Sequence, residues 1–309
     1  MEESQHRTWF QAPDAEPPPN QTHRAPFSCK FKVVLAALNR LSSPLNSIPP
    51  PGSLPSDESS PPSSVISENP PWNEWDVLQI AILTIVSIVA FLLLIAFAAQ
   101  RLLYPNSTFF EVAGYPWVTV LAQLIAYIVV LLFMVSLVKR APGQSFRQAI
   151  RWNWPESWSA YLFGGVILAL ALQGLAHFLP MPKELPIDRF FRTPREAWAL
   201  SLFGVTLAPL LEEFFFRGFL YPVLVRRLGV VFGILLTAAS FGLIHAPQLG
   251  RAWAPVLVVF LVGLALTIAR AITKSVAASL LMHIAYNGTI SALIFVVTDG
   301  FRHLDKLSQ

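Results

Sequence analysis

Leu211-Glu212-Glu213-Phe214-Phe215-Phe216-Arg217 places three ionisable side chains inside sequence otherwise apolar enough to cross a membrane. On insertion scales such a residue at the centre of a spanning helix costs about 2.5 to 3.5 kcal/mol, so its presence marks a site. Two more polar groups follow, in Phe241-Gly242-Leu243-Ile244-His245 and in His283-Ile284-Ala285-Tyr286-Asn287, each again embedded in apolar sequence. Working outward from these three segments, the fold class is all-α: a polytopic helical membrane protein of about seven transmembrane helices, with a disordered Pro-rich N-terminal tail.

Composition agrees. Hydrophobic residues make up 54% of the chain and charged residues 13%. Apolar runs near the roughly 20 residues of a spanning helix occupy 76–99, 116–138, 158–179, 197–225, 230–245, 253–272 and 275–298. Trp72 and Trp75 stand ahead of the first run as expected interface anchors. Residues 1–71, with Pro17-Pro18-Pro19 and Pro49-Pro50-Pro51, bury too little apolar surface to fold alone and read as a disordered tail. Its short apolar run at 27–41, flanked by Lys30, Lys32 and Arg40, suits a membrane surface rather than a span. The expected division is therefore 1–71 tail, 72–180 N-terminal helices and 181–309 catalytic helical core.

Charge sets the orientation. Lys139, Arg140, Arg147 and Arg151, then Arg226 and Arg227, then Arg270 and Lys274 fall on one side, which is read as cytoplasmic together with the N-terminus. The expected location is the cell membrane. The opposite loop, with Lys183, Arg189, Arg192 and Arg195, is the exception and is expected to hold an interfacial helix. No basic cluster with interleaved aromatics lies outside the spans, so nucleic acid is set aside as a partner. The single cysteine, Cys29, excludes an intrachain disulfide and a Cys-based metal cluster.

Depth and face then test whether the polar segments can meet. Glu212 lies 17 residues before Gly229 and His245 lies 16 after it, so at about 1.5 Å per residue both sit about 25 Å above that turn. His283, 9 residues past Lys274, lies about 14 Å deep, a looser match. Residues four apart share a helix face, which pairs Glu213 with Arg217, Phe241 with His245, and His283 with Asn287. Adjacent residues diverge by about 100°, so Glu212 and Glu213 take different jobs. An ion pair to Arg217 makes Glu213 the support and leaves Glu212 as the working carboxylate.

A carboxylate in a low-dielectric pocket suits a general base. His245 shares that task or ligates a metal, and His283 with Asn287 offers donors to an oxyanion. With a water between Glu212 and His245, the set describes peptide hydrolysis without a covalent intermediate. Neither Gly-x-Ser-x-Gly nor His-Glu-x-x-His occurs. If a divalent metal such as Zn is bound, Glu212, His245 and His283 are the ligands to test, with Asn287 a weaker one; spacing alone leaves metal and metal-free catalysis both open. Gly229, Gly233 and Gly242 suit close helix packing, and Pro209 is expected to kink its helix.

Glu-Glu-x-x-x-Arg at Glu212, Glu213 and Arg217, Phe-x-x-x-His at Phe241 and His245, and His-x-x-x-Asn at His283 and Asn287 occur in that order on successive late helices. The pattern resembles the CPBP family of intramembrane proteases, the group of CAAX proteases and bacteriocin-processing enzymes, over roughly residues 195–298. The resemblance implies membrane-embedded endopeptidase activity on a membrane-anchored or membrane-embedded peptide. It implies that Glu212 and His245 activate water and that His283 and Asn287 stabilise the oxyanion, and it leaves metal dependence open. The rival class is a proton-linked transporter or non-catalytic scaffold using the same Glu and His residues; the inverted repeats common in transporters are not visible.

Overall fold

In the computed structural model the described residues are 68–304, apart from 141, 142, 183 and 192, and of Arg189 only the backbone. Their main helices are α1 (Glu74–Leu102), α2 (Pro116–Lys139), α3 (Trp158–Ala176), α4 (Pro194–Val205), α5 (Leu207–Glu213), α6 (Tyr221–His245), α7 (Trp253–Thr273) and α8 (Val276–Val297). A π-helical segment, Phe214–Leu220, joins α5 to α6. No strand occurs among the described residues.

Six helical stretches are long and apolar enough to span a membrane, and one of them covers 52 residues, Pro194–His245. That stretch is two arms. Gly229 (φ 81, ψ 171) leaves the helical region in the middle of α6, a conformation open to glycine and strained for other residues. A Cβ placed on Gly233 would lie 2.6 Å from the Val225 side chain. Eight residues of continuous helix would separate those positions by about 12 Å, so the chain doubles back at Gly229. Counted by arm, the described residues make the expected seven passes of a polytopic helical membrane protein.

Local chemistry explains the ends. Asn73 caps α1, its Oδ1 accepting from the backbone N–H of Trp75 (2.8 Å) and Asp76 (3.2 Å), while the Asp76 carboxylate accepts from the Asn73 N–H (3.0 Å). Ser275 caps α8 by accepting from the Ala278 N–H at 3.1 Å. Pro209 acts four residues upstream: its ring excludes a helical carbonyl at Val205, and α4 ends there, with Thr206 at φ −117, ψ −72. The expected kink is therefore placed before the proline. Pro222 has the same effect at Gly218, inside the segment that widens to a π-helix.

Packing is closest where side chains are absent. A Cβ on Gly165 of α3 would stand 2.3 Å from the Met282 carbonyl oxygen and 2.7 Å from the Ala285 Cβ. Only glycine lets α3 approach α8 this closely, immediately beside His283. A Cβ on Gly263 of α7 would meet the Phe241 ring at 3.0 Å, and one on Gly242 would meet Phe260 at 3.2 Å. These contacts set the rotation of α6, α7 and α8 about one another.

Two expectations change. Trp72 is no interface anchor: it is 2% exposed and stacks on Phe219 with centroids 4.2 Å apart, whereas Trp75 stays exposed. The loop before α4 carries a single 3-10 turn, Pro186–Phe190, tied to the α6–α7 turn by the Ile187 N–H donating to the Gln248 carbonyl (3.2 Å). The tail expected over 1–71, with its apolar run at 27–41 and Cys29, lies outside the described residues except at 68–71, where Glu68 and Pro70 are buried. The basic residues Arg140, Arg226, Arg227 and Arg270 all meet acidic residues of 68–76, so they gather at one end of the bundle.

Candidate active site

Glu213 ends α5 fully buried, and the first π turn carries Arg217 back beneath it. The Arg217 Nη1 donates to Glu213 Oε1 at 2.8 Å, Nη2 to the Gly263 carbonyl at 2.9 Å, and Nε to the Thr267 hydroxyl at 3.3 Å. Its guanidinium also lies 4.6 Å from the centroid of the Phe241 ring. A fully buried charge persists only when paired and hydrogen-bonded, and every nitrogen of this arginine has a partner. The expected Glu213–Arg217 pair is present, with its acceptors on α7 added.

Glu213 Oε1 has a second partner, the Nδ1 of His283, at 2.9 Å. On α6 the Nδ1 of His245 lies 2.7 Å from the Phe241 carbonyl oxygen. A carbonyl only accepts, so the His245 proton sits on Nδ1, and an ionised Glu213 requires the same of His283. Both rings therefore turn Nε2 outward. The His245 Nε2 is 3.9 Å from Glu212 Oε1, and the His283 Nε2 is 3.8 Å from Glu212 Oε2.

These separations exceed a hydrogen bond and match two bonds of about 2.8 Å through one water at a near-right angle. The Glu212 and His245 side chains are each 19% exposed, while His283 is 3% exposed. Water thus reaches the open side of a cluster whose floor is sealed. Adjacent glutamates have diverged as expected: Glu213 faces the buried arginine and Glu212 faces both histidines. No group of three or more His, Cys, Asp or Glu side chains among the described residues is arranged to hold a metal ion; Glu212 reaches each histidine pairwise.

Asn287, one turn beyond His283, donates its amide to the Gly204 carbonyl at 2.7 Å. That carbonyl belongs to the last turn of α4, where the Pro209 break leaves carbonyls without helical partners. The bond orients Asn287 and leaves its second amide proton available. Phe241 packs between the two histidines, with centroids 4.7 Å from His245 and 5.7 Å from His283. Phe214 and Phe216 are buried packing groups, as expected of them.

Sequence reasoning missed several contributors. Tyr127 of α2 stacks on Phe203 at 5.9 Å and lies within electrostatic reach of Glu212, so an early helix joins the site. Thr267 and the carbonyls of Gly263, Gly204 and Phe241 also hold functional side chains. A main-chain acceptor leaves no signature in a sequence, whereas the unmatched Tyr127 in an apolar run was a visible signal.

Residues 194–289 match a family model, that of Rce1-like type II CAAX prenyl endopeptidases. No curated protein and no solved structure gives a significant match. The matched segment contains Glu212, Glu213, Arg217, Phe241, His245, His283 and Asn287, and ends before the last two turns of α8.

Proposed function

We propose, from the Rce1-like type II CAAX prenyl endopeptidase domain carried by residues 194–289, that this integral membrane protein hydrolyses a peptide bond of a membrane-anchored or lipidated protein or peptide. One observation carries the reading: Glu212 lies 3.9 and 3.8 Å from the outward Nε2 atoms of two histidines whose Nδ1 atoms are engaged. A water held there has a carboxylate to take its proton. As its oxygen bonds to the scissile carbonyl carbon, that proton passes to Glu212 and then to the leaving nitrogen as the C–N bond breaks.

Glu213 supports the imidazolium form of His283, whose Nε2–H donates to the developing oxyanion alongside the free Asn287 amide proton. Arg217 keeps Glu213 charged and turned toward His283. The pairwise spacing of the donors supports water activation by carboxylate and imidazole, with no step assigned to a metal. The basic end of the bundle and the N-terminus face the cytoplasm in this reading.

The test is cleavage of a panel of membrane-anchored peptides, farnesylated and unmodified, by the full chain in liposomes, with and without chelator. Glu212→Gln and His245→Ala should each lower turnover by about 10² to 10⁴ without unfolding the protein. Cleavage that survives Glu212→Gln would refute the proposal, and activity lost on chelation would overturn its metal-free form.

A further inference from the structure

The residues just before α1 lie outside the matched domain, yet they are fastened to the part of it that holds the site. Glu68 is 5% exposed. Its carboxylate grips Arg270 of α7 with both oxygens, at 3.0 and 3.3 Å, and meets the Arg151 Nε at 3.0 Å. Arg226 of α6 donates to the Pro70 carbonyl at 2.9 Å and to the Trp72 carbonyl at 3.0 Å. The Trp72 indole stacks on Phe219 and donates Nε1–H to the Phe219 carbonyl at 3.0 Å. Glu74 closes the strap against Arg227.

Every one of these contacts bears on the π-helical segment or on the helices flanking it. A π turn is a metastable local insertion: relaxing it to α shifts the register by one residue, and one residue on a helix is about 100° of rotation. Arg217 lies inside that segment, two residues before Phe219, and needs its present rotation to reach Glu213, Gly263 and Thr267 together. Trp72 clamps a carbonyl at the C-terminal end of the segment. Glu68 clamps Arg270, one turn along α7 from the Thr267 that receives Arg217.

We infer that Glu68 and Trp72 are positioning residues of the hydrolytic site: the strap Glu68–Glu74 holds Phe214–Leu220 in the π register that aims Arg217 at Glu213 and, through Glu213, orients His283. The inference rests on the protease reading for its effect on turnover, and on the structure alone for its effect on the π segment.

Full-length Trp72→Phe, which keeps an aromatic ring and removes the N–H donor, and Glu68→Gln are compared with Trp75→Phe, whose side chain is exposed. Each is assayed on a membrane-anchored fluorogenic peptide and by hydrogen exchange of residues 214–224. Trp72→Phe and Glu68→Gln should each lower kcat about tenfold with KM within about twofold, as a misaimed group does, and should speed exchange in the π segment about tenfold. Trp75→Phe should match the wild type in both. In a double-mutant cycle, Trp72→Phe and Arg217→Lys should be non-additive in kcat, which a purely structural role would not produce. Wild-type exchange in both strap variants overturns the inference whatever the fate of the protease reading. Loss of cleavage in Glu212→Gln with full kcat in both strap variants overturns it while leaving that reading intact. Should Trp72→Phe not fold, Glu68→Gln decides by the same two measurements.

Discussion

Replacing Arg217 by methionine removes a fully buried cation while roughly keeping its volume. The structure specifies what is lost: an ion pair of 2.8 Å to Glu213 and hydrogen bonds to Gly263 and Thr267. It also specifies what remains, a Glu213 carboxylate with no solvent exposure and one of its oxygens, Oε2, already without a partner. Removing one member of a buried pair costs about 3 to 5 kcal/mol, mostly because the other charge is stranded. At about 2 to 4 °C per kcal/mol for a domain of this size, the midpoint of thermal unfolding in detergent should fall by about 6 to 20 °C. The double variant Arg217→Met with Glu213→Gln removes the stranded charge as well and should recover most of that loss. It should remain inactive, because His283 no longer faces a carboxylate. An Arg217→Met midpoint within about 2 °C of wild type, less than 1 kcal/mol, or a double variant no more stable than the single one, would refute the assignment of Glu213 and Arg217 as one buried unit.

Three other outcomes follow from specific contacts. Gly165→Ala sets a methyl group 2.3 Å from the Met282 carbonyl, so α3 and α8 must separate; overpacking of this kind costs about 1 to 3 kcal/mol, and turnover should fall with it because His283 adjoins Met282. Gly229→Ala forces a non-glycine residue to φ 81, ψ 171, which should destabilise the hairpin by about 1 to 3 kcal/mol in unfolding measurements and leave KM unchanged. Asn287→Leu removes the bond to Gly204 and the proposed oxyanion donor, and should lower kcat about 10²- to 10³-fold with little change in KM.

Much of the architecture was legible because membrane insertion is a local constraint. A helix must satisfy its own backbone in lipid and present about 20 apolar residues to it, so all seven passes could be marked from the sequence, most of their ends within a few residues. The Glu213–Arg217 pair was equally legible, since four residues on one helix decide it. So was the common depth of Glu212 and His245, which follows from counting away from Gly229. The lengths of helices carry that information.

Rotation and lateral neighbours carry the rest, and they were decided only in three dimensions. Nothing in the Trp72 region marks its indole for a carbonyl 147 residues away, and Glu68 sits in a stretch whose composition reads as tail. The nearness of Tyr127 to Glu212 depends on which helix packs beside α4, and the seat of His283 depends on Gly165, whose missing side chain sets how closely α3 approaches. Sequence by itself established which polar groups enter the membrane and at what depth, because burying each against solvation is paid for residue by residue. Tertiary structure alone decided which of them face each other, because that depends on backbone carbonyls, glycine clearances and a one-residue π insertion whose effects are summed over several helices.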